Sequence, residues 1–185
     1  LLIKAKKGVH RTIIIMTQRP IQGDFTTTGM EVFLEKDAHI TLIHVHDHPG
    51  LHALSASHAH LSQGASLQAY DIVVSGRTTL VRTQVELGGM GSSCKHRVLF
   101  LPDAGEQVDC EMLTHHTAPQ TSSRLDVRGA VAGGGRGIVE GTIHIAQQAK
   151  ESSAFQDMRL LLLEKGAIAD AIPNLEIDNP EVRCT

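Results

Sequence analysis

Seven of the twelve histidines fall between His39 and His60, most of them in the stretch IHVHDHPGLHALSASHAH from residue 43 to residue 60. Imidazole is the commonest protein ligand for transition metals. His44, His46 and His48 stand at i, i+2 and i+4, so on a regular strand their rings share one face. His58 and His60 repeat that spacing further on. If neighbouring strands bring the two segments together, five imidazoles meet on one face, a donor set for zinc, iron or another divalent metal. The competing reading is a polar outer face on which histidines accumulate.

Other chemistry-bearing residues are sparser. The nearest familiar pattern for the histidines is the His-x-His of cupins, which suggests a metal-dependent enzyme using His44, His46 and His60. A cupin completes its site with a Glu, however, and here Pro49 and Gly50 stand in that place. Cys94, Cys110 and Cys184 are far apart and form no CxxC pair, which fits a reducing cytoplasm better than a disulfide framework. Cys94 precedes Lys95 and His96, and neighbouring positive charge predicts a lowered thiol pKa there. His115 and His116, followed by Thr117, Ser122 and Ser123, imitate a hydrolase constellation but read more simply as a turn after a strand. The glycine runs at 88–91 and 133–137 are neither a GxGxxG helix opening nor a Walker loop, so no nucleotide is expected on this chain. They read as tight turns needing positive φ. No GxSxG, HExxH or paired carboxylates occur, and the chain is expected not to be an enzyme.

The elements that must position these residues are short and alternate with period two. Segments 31–34, 40–46, 66–74, 79–87, 97–101, 107–113, 125–131 and 137–145 all read as strands. Turn clusters such as EKDA, DHPG, SQGA, PDAGE and AGGGRG separate them. Residues 153–165 allow either a helix or a strand, turn and strand. Turn-plus-strand units recur, Asn-Gly and Asp-Gly hairpin signals are missing, and only 3% of residues are aromatic. A narrow interior filled by small aliphatic side chains follows, so the chain is expected to be all-β, a parallel β-helix forming a single domain over 1–185.

Seventeen basic against twenty acidic residues give a net charge of -3, with no basic stripe for nucleic acid or an anionic membrane. The apolar runs are too short to span a bilayer, and the first residues lack a signal-peptide core. An initial Leu in place of Met suggests a fragment or a trimmed chain.

The last third resembles the end of the core domain in the SufB/SufD family, the scaffold subunits of SUF iron–sulfur cluster assembly. The residues that carry this are Gly141, Ile143, Ala146, Gln156, Leu161, Leu162, Leu163, Ala167, Pro173, Leu175, Glu176, Ile177, Val182 and Cys184. Upstream, LTHHTAPQTSSR resembles the family's H-x-A-P-x-T-x-S turn through His116, Ala118, Pro119, Thr121 and Ser123. The resemblance implies a right-handed parallel β-helix that dimerises through its core, with itself or with a SufB-type subunit. It also implies a SufC-type ABC ATPase as partner and a transient iron–sulfur cluster at a subunit interface. SufB-type chains place a functional Cys where this one has Ala167, so the chain looks SufD-like. Cys184, at the functional end of the family's core, is the expected cluster-binding residue, and His44, His46, His48, His58 and His60 are the expected iron ligands. Against the family pattern, the chain is expected to lack the N- and C-terminal helical regions and the His that follows Val-x-Cys, as a core fragment or a minimal relative would. A module that only pairs with a catalytic partner is the remaining reading.

Overall fold

Alternation of small aliphatic and polar residues does build strands throughout. A computed structural model of the chain describes residues 1–17 and 23–184. The first strands are β1 (Leu2–Ala5), β2 (His10–Thr17) and β3 (Phe25–Leu34), followed by the long β4 (His39–Leu61) and β5 (Ser66–Leu87). Then come β6 (Ser93–Phe100), β7 (Gln107–His116), β8 (Ser122–Val131), β9 (Arg136–Ile145), β10 (Ser153–Leu162), β11 (Ile168–Ile177) and β12 (Arg183–Cys184). Among the described residues there is no helix, so the segment 153–165 resolves as a strand and a turn.

Every pairing between these strands is parallel. The result is a right-handed β-solenoid of about six turns, each coil taking roughly 30 residues. One face stacks β2, the first half of β4, the first half of β5, then β6, β8, β10 and β12. The opposite face stacks β1, β3, the second halves of β4 and β5, then β7, β9 and β11. No barrel is present to carry a cupin-like site, so that alternative loses its scaffold. Among the described residues no helix is long and apolar enough to cross a membrane.

β4 and β5 pass through both faces, turning a corner on the way. In β4 the corner falls at Pro49-Gly50, where Gly50 takes φ +73° and the register shifts. DHPG is therefore a bend between two faces and does not end the strand. The corner also changes which positions point inward. Before it the buried residues are Ile40, Leu42, His44, His46 and His48; after it they are Leu51, Ala53, Ser55, Ala59 and Leu61. The glycine runs act partly as expected: Gly91, Gly133 and Gly134 take positive φ. Gly129 and Gly137 serve differently, since a Cβ on either would strike the inward ring of Phe100.

Two large aliphatic blocks fill most of the interior, with a smaller third at Ile143, Ile145, Ala149 and Ala154. One runs from Ala5 through Leu34, Leu42 and Leu61 to Leu87, the other from Val73 through Phe100 and Val127 to Val139. Of the fifteen buried polar residues among those described, eight lie on β4, β5 and β6: His44, His46, His48, Ser55, Asp71, Thr79, Thr83 and His96.

Candidate functional site

That interior polar group is built by register. On the β4/β5 ladder His44 lies directly beside Asp71, and on the β5/β6 ladder Ala69 lies beside His96, so His96 approaches Asp71 from the next coil. The Asp71 carboxylate accepts one hydrogen bond on each oxygen, from His46 Nε2 at 2.8 Å and from His96 Nε2 at 2.7 Å. Thr83 adds a longer bond at 3.4 Å, and His44 Nδ1 stands 3.8 Å away. A cavity of about 20 Å³ beside His44, lined also by Ser57, Asp71 and Thr83, is the size of one water. His48, one step along β4, bonds Thr17 at 3.2 Å.

Charge in this group is unevenly placed. Burial pushes the Asp71 carboxyl up, but the two imidazole hydrogen bonds and their charges outweigh it and hold Asp71 well below the usual carboxylate range. Burial, helped by the neighbouring His46, lowers His44 to about 4 against the pull of Asp71. His48 is lowered for the same first reason. The interior therefore favours neutral His44 and His48 around an ionised carboxylate. Asp71 was missed by the sequence reading, although it holds an inward position between Ala69 and Val73, where a charge is out of place.

His58 and His60 lie elsewhere. The corner at Pro49-Gly50 reverses inward and outward positions, so these two rings project from the outer surface of the opposite face, 30% and 34% exposed. The five imidazoles therefore do not converge. On that surface β3 sets Glu31 beside His58 and Phe33 beside His60, while β5 sets Glu86 on the other side of His60. Glu31, His58 and His60 form one group of donor atoms within 4.8 Å of one another, and His44, His46 and Asp71 form another.

His116 is fully buried between two hydroxyls, with Nδ1 2.8 Å from Thr121 Oγ1 and Nε2 2.8 Å from Ser123 Oγ. Thr121 in turn bonds the Ala118 carbonyl and Ser152. The constellation that imitates a hydrolase is a sealed clamp holding the turn between β7 and β8. Burial lowers His116 to about 4, with His115 adding to the effect.

The cysteines separate by burial. Cys94 is sealed in the core, and burial pushes its thiol up to about 12, against the lowering expected from Lys95 and His96. Cys94 shares inward parity with the core while Lys95 points away from it, so sequence adjacency brings no cation to the sulfur. Burial also pushes Cys110 up, with Asp71 and Asp109 adding to it. Cys184 on β12 is half-buried beside Ala154, at a cleft of about 250 Å³ also lined by Gln156, Pro173 and Asn174. Burial raises its thiol too, partly offset by a backbone hydrogen bond from Ala154. Cys94 and Cys184 share one column, but Ser123 and Ala154 intervene, three rungs or roughly 14 Å in all. The two thiols cannot share a ligand.

The described residues thus form an all-parallel β-solenoid with a sealed His–Asp interior and one half-buried thiol. The chain belongs to the SUF system FeS cluster assembly SufBD core domain family, whose model matches residues 1–185. It is 27% identical over 162 residues to an iron–sulfur cluster assembly SufBD family protein of Mycobacterium leprae, covering 83% of the chain and 41% of that protein. It is 29% identical over 136 residues to a SufBD family protein of Mycobacterium tuberculosis, covering 70% of the chain and 34% of that protein. To the iron–sulfur cluster assembly protein SufD of Escherichia coli it is 25% identical over 162 residues, covering 87% of the chain and 38% of SufD. The chain thus spans about two fifths of the length of these relatives.

Proposed function

We propose that the chain is a SufD-like scaffold in iron–sulfur cluster assembly, pairing through its solenoid and catalysing nothing itself. The observation that carries this reading is the SufBD core match over the whole chain. SufD of Escherichia coli among its relatives, and Ala167 where SufB-type chains carry a functional Cys, favour the SufD side. Of its three thiols, only Cys184 reaches a cleft, so Cys184 is the residue that touches the nascent cluster, which passes through as cargo. Soft thiolate is the donor such a cluster requires. Nucleotide hydrolysis then comes from a SufC-type ABC ATPase, and the paired subunit is SufB-type or a second copy, all in the cytoplasm.

The test is co-expression of the native polypeptide with the SufB-type and SufC-type proteins of the same organism, followed by anaerobic reconstitution. A stable complex is expected, with its cluster absorbance lowered severalfold by Cys184→Ser. Failure to co-purify with either partner overturns the reading.

A further inference from the structure

The outer face holds a carboxylate and two imidazoles arranged unlike the interior set. Glu31 Oε2 stands 3.9 Å from His58 Nδ1 and 4.0 Å from His60 Nε2. Both separations are too long for hydrogen bonds. Two donors bound to one ion at 2.0–2.2 Å lie roughly 3.0–3.5 Å apart, so an inward shift of about half an ångström completes the geometry. Glu31 is 52% exposed and free to make that shift.

The protons decide what can occupy the gap. His60 Nδ1 is 2.9 Å from Glu86 Oε2, the distance of an N–H donated to a carboxylate. With that proton on Nδ1, Nε2 is the ring nitrogen that faces Glu31 across 4.0 Å and is open to a cation between them. A second carboxylate holding the far nitrogen is also what metal-ligating histidines commonly have, since it fixes the tautomer and raises the basicity of the ligating atom. Phe33 stacks on the His60 ring at 4.9 Å and 4°, and His58 packs at 4.0 Å on it, so the ring is held in place. His58 Nε2 is buried without a hydrogen-bond partner, which leaves Nδ1 as the nitrogen directed at Glu31.

We propose that Glu31, His58 and His60 bind one divalent first-row transition-metal ion on the outer face of the solenoid, with Glu86 positioning His60. Two imidazoles and one carboxylate leave further coordination positions open, the donor set of non-haem Fe(II) sites. An open groove of about 590 Å³ borders Glu31 and His58, so solvent or a small ligand reaches those positions. This site does not rest on the cluster-assembly reading, since it uses no thiol.

Co(II) is the probe, titrated into the purified full chain at pH 7.5 and followed by visible absorbance, with Fe(II) under anaerobic conditions as the second ion. One equivalent is expected to bind. Glu31→Gln and His60→Ala should each weaken binding at least 100-fold, and Glu86→Gln about 10–100-fold. His144→Ala, on the same face but outside the group, should leave it unchanged. All four positions are at least partly exposed, and far-UV circular dichroism confirms folding of each variant. No Co(II) uptake overturns the proposal and leaves a second proton on His60 joining the two carboxylates. Uptake that survives both Glu31→Gln and His60→Ala overturns it equally. The readout contains no cluster and no partner, so its failure leaves the scaffold reading standing, and failure of the partner test leaves this site standing.

Discussion

β4 carries histidines at alternate positions twice, and the two sets meet their carboxylates in opposite ways. Inside, Asp71 receives an N–H on each oxygen at 2.7 and 2.8 Å, so the carboxylate's two strongest acceptor positions are taken by protons. Outside, Glu31 stands 3.9 and 4.0 Å from two ring nitrogens and bonds to neither. Histidine spacing is the same; the distance from ring to carboxylate is not. The inner group joins neighbouring coils where aliphatic packing is interrupted, through hydrogen bonds to one buried carboxylate, while His44 Nε2, His46 Nδ1 and His48 Nδ1 stay without a partner. In the outer group His60 Nδ1 meets Glu86 at 2.9 Å, and Nε2 is the nitrogen that faces Glu31. Spacing of histidines therefore identifies a candidate ligand set, and the second partner of each ring decides whether it acts as one.

Acid should produce the largest separation between the two regions. His44 and His116 are each lowered to about 4, so between pH 6.5 and pH 4 the unfolded chain takes up protons that the fold refuses, and stability falls as pH falls. The expected loss by pH 4 is on the order of 3 kcal/mol for each group, read by urea denaturation, with a plateau above about pH 7. Asp71, held below the usual range, stays ionised through this window and gives up its contribution only at still lower pH. A stability profile flat from pH 7 to 4 would break the comparison. Next in size is Asp71→Ala, which strands two buried imidazoles and should lower stability by about 3–5 kcal/mol. A loss under 1 kcal/mol would show that the inner group does not hold the coils. Thiol labelling extends the same division to sulfur. Iodoacetamide under native conditions should modify Cys184 alone, and Cys94 and Cys110 should react at least 100-fold more slowly until the chain is unfolded, as peptide mass spectrometry would show. The smallest effect belongs to the outer face, where His60→Ala should change stability by less than about 1 kcal/mol because its contacts with Glu31 and Glu86 are half-exposed. A loss as large as that of Asp71→Ala would mean that the outer group is structural as well.

Much of the architecture was legible because a solenoid writes its period into every strand. Alternation of Ile40, Leu42 and their successors, small-residue turns and the scarcity of aromatic rings all follow from a narrow interior. The corner in β4 was harder to see. Pro49-Gly50 has the composition of a turn, and only the parity of the apolar residues, even at Ile40 and Leu42 and odd at Ala53, Ala59 and Leu61, records that the chain continues onto another face. Without that change the five histidines seem to share one surface. Asp71 and His96 come from later coils, and no local pattern says which coil stacks on which. Cys94 shows the same limit: adjacency to Lys95 suggests an activated thiol, but in a strand adjacent residues point to opposite sides.

The ring of Phe100 has one further consequence. It belongs to one coil but occupies space opened by Gly129 and Gly137 in the next, one from each face. Successive coils are thus keyed to one another like wards in a lock, and they are not interchangeable units. Excising the coil of β8 and β9 would set Phe100 opposite Leu160 in place of Gly129, whereas lengthening a surface turn would leave the glycines beside it. The order of these two coils is therefore fixed from within.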